Sequence, residues 1–219
     1  MADAQFLADR QSAVVSTNKV LRNTYLLLSM TLLFSAAMAG VAMAINAPYL
    51  GWMPLIAAFA LLFVISKMRN SVWGIVLVFA FTGLLGFSIG PVVNMYMQTA
   101  AGTQTVVTAL TLTGMIFLSL SGYALVSKKD FSFMGGFLMT GLWVVIGAIV
   151  LSLFFQIPGL QLAISAAIIM IMSGLILYDT SQIINGGETN YIMATVSLYL
   201  SIYNIFQSLL ILIGFSSSD

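Results

Sequence analysis

The sequence predicts an all-α integral membrane protein with seven transmembrane helices. Of its 219 residues, 61% are hydrophobic and only 6% are charged, whereas soluble domains carry about 25% charged residues. The hydrophobic runs are continuous rather than alternating, which argues against a transmembrane β-barrel. A single polytopic helical domain in a lipid bilayer is therefore the fold class that composition and patterning indicate together.

Seven hydrophobic segments approach or reach the roughly 20 residues that a transmembrane helix needs. Asn46-Ala47-Pro48, Pro158-Gly159 and Asn185-Gly186-Gly187 separate neighbouring segments, because proline and glycine interrupt helices. Thr189 or Asn190 can cap the last helix, and Asp130 or Ser132 the fifth. The predicted helices cover residues 25–45, 50–66, 72–93, 105–126, 133–155, 160–178 and 191–213.

Glycines on two helices predict close packing between neighbours. Gly83, Gly86 and Gly90 precede Pro91 on the third helix, and further glycines lie on the fifth at 135, 136 and 141. Small residues let transmembrane helices approach closely, and displaced backbone groups near proline are satisfied by neighbouring helices. The alternative for the third helix is a hinge or a pore lining.

The distribution of basic residues predicts the orientation. They occur only in the N-terminal tail, in the loop with Lys67 and Arg69, and in the loop with Lys128 and Lys129. Seven spans place all three regions on one side, so the positive-inside rule predicts a cytoplasmic N-terminus and an external C-terminus. A six-span alternative would move the C-terminus inside. We expect a loosely ordered cytoplasmic tail at 1–24, the transmembrane domain at 25–213 and a short C-terminal end at 214–219.

The last two helices carry the polar groups that are most informative about function. Ser197, Ser201, Asn204 and Ser208 follow one another at i, i+4, i+7 and i+11, which places them on one helix face. Such a stripe needs partners that lipid does not provide, so the last helix is predicted to be central. The stripe either forms interhelical hydrogen bonds or lines a wet pathway.

Asp179 is the only carboxylate predicted near membrane depth, where an ionisable group suggests a function. We hypothesise that Asp179 pairs with Lys67 or Arg69 at the cytoplasmic end, and that protonation releases this pH-dependent latch. The alternative is a carboxylate that caps a helix or simply lies at the interface.

The composition excludes several classes of chemistry. The chain has no cysteine and no histidine, which argues against disulfides, thiol catalysis and Ser–His catalysis. One carboxylate within a span does not make an aspartyl protease, which needs two. No glycine-rich run ends in a nucleotide-binding Gly-Lys-Ser/Thr, and a net charge of +1 does not indicate nucleic acid. We therefore expect no catalytic residue, no cofactor and no metal site.

Five stretches between residues 16 and 210 are informative together: STNKVLRNTYLLLS, FAFTGLLGFSIGPVVN, SKKDFSFMGGFLM, LQLAISA and NGGETNYIMATVSLYLSIYNIFQSLL. They resemble the Bax-inhibitor-like (TMBIM) family, most closely its bacterial branch of modulators of the FtsH protease. The resemblance implies a last helix wrapped by the other six, location in the bacterial inner membrane, and FtsH as a partner that the protein negatively modulates.

The resemblance also implies an alternative function, a pH-sensitive calcium or cation leak with calcium or a proton as the permeant or gating ion. Other family members use a pair of aspartates for this activity, and Asp179 matches the first of them. Ser201 occupies the second position, and the family's latch arginine aligns near Ser66–Lys67. A carboxylate and a hydroxyl do not share a proton as two carboxylates do, which favours modulation of the protease.

Overall fold

The structure is a computed structural model that describes residues 2–99, 101–155, 157 and 159–216, with side chains from residue 17 onward. These residues form seven α-helices and one 3₁₀ turn (Ser132–Met134), and no strand occurs among them. The helices are α1 (Ala2–Ala44), α2 (Met53–Met68), α3 (Val72–Met97), α4 (Gly102–Ser127), α5 (Gly135–Phe154), α6 (Leu160–Ile184) and α7 (Tyr191–Ser216).

Six of the described helices are long and hydrophobic enough to cross a membrane, and α2 is the exception. Its 16 residues correspond to about 24 Å, whereas the hydrocarbon core of a bilayer is about 30 Å thick. The all-helical membrane fold is confirmed at this level: six candidate spans and one shorter apolar helix.

Two helices extend well beyond their predicted bounds. The tail expected to be loosely ordered is instead helical from Ala2, because no glycine or proline interrupts the chain before Gly40. The sixth helix continues past residue 178 to Ile184, where Asn185-Gly186-Gly187 ends it and Gly186 adopts a left-handed φ of 77°. Asp179 lies inside α6, near its end.

The predicted cap of α7 is observed, whereas the predicted cap of α5 by Asp130 or Ser132 is not, because Met134 is the N-cap residue of α5 and no side chain caps it. Asn190 Oδ1 accepts hydrogen bonds from the backbone N–H groups of Ile192 and Met193, both at 3.1 Å, at the start of α7. Asp130 Oδ1 accepts the Ser132 N–H at 2.8 Å, at the 3₁₀ turn that precedes α5. This hydrogen bond lowers the pKa of the exposed Asp130 carboxyl below its ordinary value.

The glycines of α3 face α1, and these two helices share the most extensive contact in the molecule. Gly83 lies against the ring of Phe34, Gly86 against the backbone of Ser35, and Gly90 against Ala39 and Ala42. A side chain at any of the three would collide with α1. Close packing, predicted from the sequence, is thus the role these glycines have in the structure, and α3 continues through Pro91.

The helix α7 packs against α1, α3, α4 and α6, whereas α2 packs on α3 and α5 on α6. Three loops meet at one end of the bundle. Asn190 Nδ2 donates to the carbonyl of Arg69 at 3.0 Å, and Ser181 Oγ donates to the carbonyl of Lys129 at 3.1 Å. The loops after α2, α4 and α6 therefore lie on the same side of the molecule, and all the basic residues beyond the N-terminal helix lie in the first two of these loops or in the last turn of α2.

Candidate functional site

A carboxylate–hydroxyl contact joins the last two helices. Asp179 projects from α6 and Ser197 from the second turn of α7, and Ser197 Oγ donates to Asp179 Oδ2 at 2.5 Å. Both side chains are half-buried. The short loop 185–190 turns the chain back on itself, which brings two residues 18 positions apart to the same level of the bundle. A hydrogen bond to an ionised acceptor is among the stronger kinds in proteins.

Three further hydroxyl groups form a second set of contacts, which begins at the residue after Asp179. Thr180, the neighbour of Asp179, is fully buried, and its Oγ1 lies 3.4 Å from the hydroxyl of Tyr25 on α1. Tyr25 also hydrogen-bonds to the buried Ser121 on α4. The five side chains of Tyr25, Ser121, Asp179, Thr180 and Ser197 thus form a polar layer that joins α1, α4, α6 and α7. This layer is the candidate functional site.

The predicted polar stripe is only partly continuous with the polar layer. Ser197 contacts Asp179, and Ser201 and Ser208 are buried, with 1% and 3% of their surface exposed. Asn204 is half-buried and donates to the carbonyl of Leu200 within its own helix at 2.8 Å. Burial of the stripe follows from the contacts of α7 with several helices at once.

The two basic residues predicted as latch partners lie apart from this contact. Lys67 and Arg69 are both exposed at the end of α2, and Lys67 Nζ lies 5.3 Å from the centre of the Phe63 ring. Within the described residues, neither cation is at ion-pair distance from a carboxylate. The hydrogen-bonding partner that the structure brings to Asp179 is the hydroxyl of Ser197.

The sequence reasoning missed Tyr25, Ser121 and Thr180. Thr180 could have been found from its position beside Asp179. Tyr25 and Ser121 gave no such signal, because they lie on helices whose relative rotation the sequence does not reveal. Among the described residues no group of three His, Cys, Asp or Glu side chains is arranged to hold a metal ion.

A second polar junction, also missed, lies deeper in the bundle at Tyr199. Its ring is almost fully buried, and its hydroxyl contacts Ser35 Oγ on α1 at 2.6 Å and donates to the carbonyl of Thr82 on α3 at 3.1 Å. One side chain of α7 thereby holds two neighbouring helices together. Tyr199 is adjacent to the predicted stripe but not part of it.

Comparison with known proteins shows similarity along nearly the whole chain. A protein of Escherichia coli (strain K12) named modulator of FtsH protease YccA is 49% identical over 210 residues, which cover 95% of both chains. An uncharacterized protein of Pseudomonas aeruginosa is also 49% identical, over 91% of this chain and 90% of its own. An uncharacterized membrane protein of Vibrio cholerae is 48% identical, over 94% and 93%.

The same 49% identity relates the chain to a protein of Escherichia coli O6:H1 named inner membrane protein YccA. The expected multi-pass location in a bacterial inner membrane is thereby confirmed. The family model described as inhibitor of apoptosis-promoting Bax1 matches residues 17–218. With its helical membrane fold and its similarity to these relatives, the chain belongs to the Bax inhibitor family.

Proposed function

We propose that this protein binds the membrane AAA protease FtsH and negatively modulates it. The observation that carries the proposal is the 49% identity, over 95% of both chains, to the relative named modulator of FtsH protease YccA. The similarity extends over nearly the full length of both chains. The role is one of binding, and we infer that the protein is not an enzyme.

The proposal includes a membrane topology and a division of the chain. The N-terminus is cytoplasmic, α2 inserts as a seventh membrane helix, and α7 is the central helix. Residues 1–24 form the cytoplasmic segment, 25–213 the transmembrane domain and 214–219 the C-terminal end. Support comes from Lys67, Arg69, Lys128 and Lys129, whose loops lie at one end of the bundle, as the positive-inside rule requires of cytoplasmic loops.

The physical basis of modulation is a cytoplasmic segment that the protease can grip, attached to a bundle that resists extraction. The first helix runs for 43 residues without interruption, so a pull on its start is transmitted directly to its membrane part. That part is held by the glycine contacts with α3 and by the hydroxyl of Tyr199. A protease engaged with such a chain is occupied and acts more slowly on other membrane substrates.

Co-purification tests this proposal. We expect FtsH to be recovered with the full-length protein from detergent-solubilised membranes, and overproduction of the protein to slow the degradation of a membrane substrate. Deletion of residues 2–20 should abolish recovery of the protease. Replacement of these residues by a Gly/Ser segment of the same length should restore recovery only partly, because the helix is lost. Absence of FtsH among the partners of the full-length protein would contradict the proposal.

The polar layer favours a second candidate, a pH-sensitive calcium or cation leak. Asp179 is a carboxylate within a membrane helix that accepts a hydrogen bond from Ser197, and the next residue, Thr180, contacts the hydroxyl of Tyr25. In this alternative, Lys67 or Arg69 pairs with Asp179 in the closed state, protonation releases the pair, and the stripe of Ser197, Ser201, Asn204 and Ser208 lines the pathway.

Calcium flux into proteoliposomes, measured across pH, tests the alternative. Asp179→Asn should abolish the pH dependence, and Lys67→Gln with Arg69→Gln should increase the flux at neutral pH. Lys128→Gln with Lys129→Gln is the matched control, since it removes the same charge from the other basic loop. A flux that is absent, or that has the same pH dependence in Asp179→Asn, would reject the leak and leave the protease proposal unaffected.

A further inference from the structure

The corner between α2 and α3 carries two cations that the protein itself does not neutralise. Lys67 and Arg69 are exposed at the end of α2, and among the described residues no carboxylate lies within ion-pair distance of either. Lys128 and Lys129 form no ion pair among the described residues either, but Asp130 follows them directly in the sequence. The first pair has no acidic neighbour in its loop and is open to a negatively charged group from outside the chain.

The two cations lie at the end of the bundle where the loops after α2, α4 and α6 meet, level with the start of α7. Side chains in a helix point toward its N-terminus, so Lys67 is directed back along α2 toward the membrane interior. Its ammonium group accordingly lies over the ring of Phe63, one turn earlier. The negatively charged group that a membrane presents at this level is the phosphate of an anionic lipid.

Exposed aromatic residues flank the two cations in the sequence. Phe63 on α2 is 65% exposed, and Trp73 in the first turn of α3 is 63% exposed. Tryptophan concentrates at the level of the lipid headgroups, where its ring contacts the acyl region and its N–H reaches polar groups. Beyond Phe63, the exposed Ile56 and Phe59 continue an apolar surface along α2 that fits an acyl chain.

The backbone of the corner is held rigidly from two sides. Gly74 lacks a side chain where the carbonyl of Met68 and the Cα of Arg69 come close, so the end of α2 packs directly on the first turn of α3. Asn190 Nδ2 donates to the carbonyl of Arg69 at 3.0 Å and to Asn70 Oδ1 at 2.8 Å. The two cations thus project from a preformed corner.

We propose that this corner is a binding site for an anionic phospholipid. The phosphate lies between Lys67 and Arg69, Trp73 and Phe63 flank the glycerol region, and an acyl chain follows the exposed face of α2. Each cation near a membrane surface contributes about 1 kcal/mol to the binding of anionic lipid, so removal of both lowers the preference for it by about 30-fold.

Native mass spectrometry of the full-length protein tests the site, with phosphatidylglycerol and phosphatidylcholine of identical acyl chains in competition. We expect Lys67→Gln with Arg69→Gln to lower the preference for phosphatidylglycerol by about 30-fold. The control Lys128→Gln with Lys129→Gln should change it by less than about twofold, because those cations lie beside Asp130. The charge-preserving pair Lys67→Arg with Arg69→Lys should retain the preference. Equal losses in the two glutamine variants, or no loss, would overturn the proposal.

A second measurement does not depend on the charge variants. With Trp52→Phe and Trp143→Phe, Trp73 is the remaining tryptophan of the three in the chain. Brominated phosphatidylglycerol should quench its fluorescence more strongly than brominated phosphatidylcholine at equal mole fraction, and excess inorganic phosphate should not reverse this difference. Equal quenching by both lipids, or reversal by free phosphate, would show that the site does not select an anionic lipid.

Discussion

Ser197 Oγ donates a hydrogen bond to the carboxylate of Asp179 across 2.5 Å and so connects the last two helices of the bundle. The donor lies on the predicted polar face of α7, and the acceptor is a carboxylate within a membrane helix. Each residue satisfies the hydrogen-bonding group of the other, because lipid offers no hydrogen-bond partner.

Replacement of Ser197 by alanine should destabilise the bundle, because it leaves the carboxylate without its hydroxyl donor. We expect a loss of about 1.5–3 kcal/mol, the range for hydrogen bonds to charged groups. Thermal unfolding of the detergent-solubilised protein measures the effect. Ser201→Ala, one turn further along the same face, is the control and should cost less than half as much. An equal loss of stability in both variants would show that the contact with Asp179 stabilises the bundle no more than the control serine does.

Replacement of Gly86 by alanine should disrupt the contact between α1 and α3. The new methyl group would collide with the backbone of Ser35, which cannot move as a flexible side chain could. Gly114→Ala is the matched control, because no atom lies within 4 Å of the position its Cβ would take. Replacement of glycine by alanine at an open helical position stabilises the helix by up to about 1 kcal/mol. Unfolding temperatures should therefore shift in opposite directions, and a shared direction would contradict the packing argument.

Replacement of Tyr199 by phenylalanine should weaken the attachment of α7 to α1 and α3. It removes the hydroxyl that contacts Ser35 Oγ and the carbonyl of Thr82, while it retains the buried ring. Interhelical hydrogen bonds in membranes average about 0.6 kcal/mol, so the loss of two should cost about 1 kcal/mol. Tyr203→Phe, whose hydroxyl lies 3.5 Å from Ser88 Oγ, should cost less. The reverse order of the two costs in unfolding experiments would refute this assignment.

Replacement of Asn190 by alanine should loosen the start of α7. The variant loses the cap on the N–H groups of Ile192 and Met193, together with the link to the loop after α2. A helix cap is worth about 1 kcal/mol, and hydrogen–deuterium exchange at these two amides should accelerate about fivefold. In Asn190→Ala, exchange in the middle of α7 should stay unchanged. In the control Thr189→Ala, exchange should stay unchanged throughout α7. Unaltered exchange at both amides of Asn190→Ala would contradict the role of Asn190.

Asp130 should stabilise its loop down to acidic pH. The Ser132 N–H favours the charged form of the carboxyl, which lowers its pKa below the ordinary value of 3.8. Because the lowered pKa belongs to the folded state, the stabilisation is fully present above the ordinary value and is lost as the pH falls through the lowered one. Hydrogen exchange at the Ser132 amide is therefore compared between the unsubstituted protein and Asp130→Asn. Exchange in the unsubstituted protein should accelerate relative to the variant only below about pH 4. Equal acceleration at neutral pH would exclude this cause.

Much of the fold is predictable because membrane helices obey local rules. Continuous hydrophobic runs indicate the helices, Asn185-Gly186-Gly187 ends α6, and Asn190 begins α7. The start of α1 was less predictable, because a polar helix that continues out of the membrane has no hydrophobic signal at its end. The hypothesis of a latch between Asp179 and a base on α2 remains a prediction, and the polar layer adds Ser197 as a partner.

By itself, the sequence determined the class of the protein, the approximate positions of its helices and the polar face of α7, since each depends on composition or on the period of one helix. Only the tertiary structure decided which groups meet: Ser197 with Asp179, Tyr25 with Ser121 and Thr180, and Tyr199 with Ser35 and Thr82. The physical reason is that these contacts depend on how the helices are rotated and shifted against one another. That arrangement is set by the packing of all seven helices together and cannot be derived from any one of them.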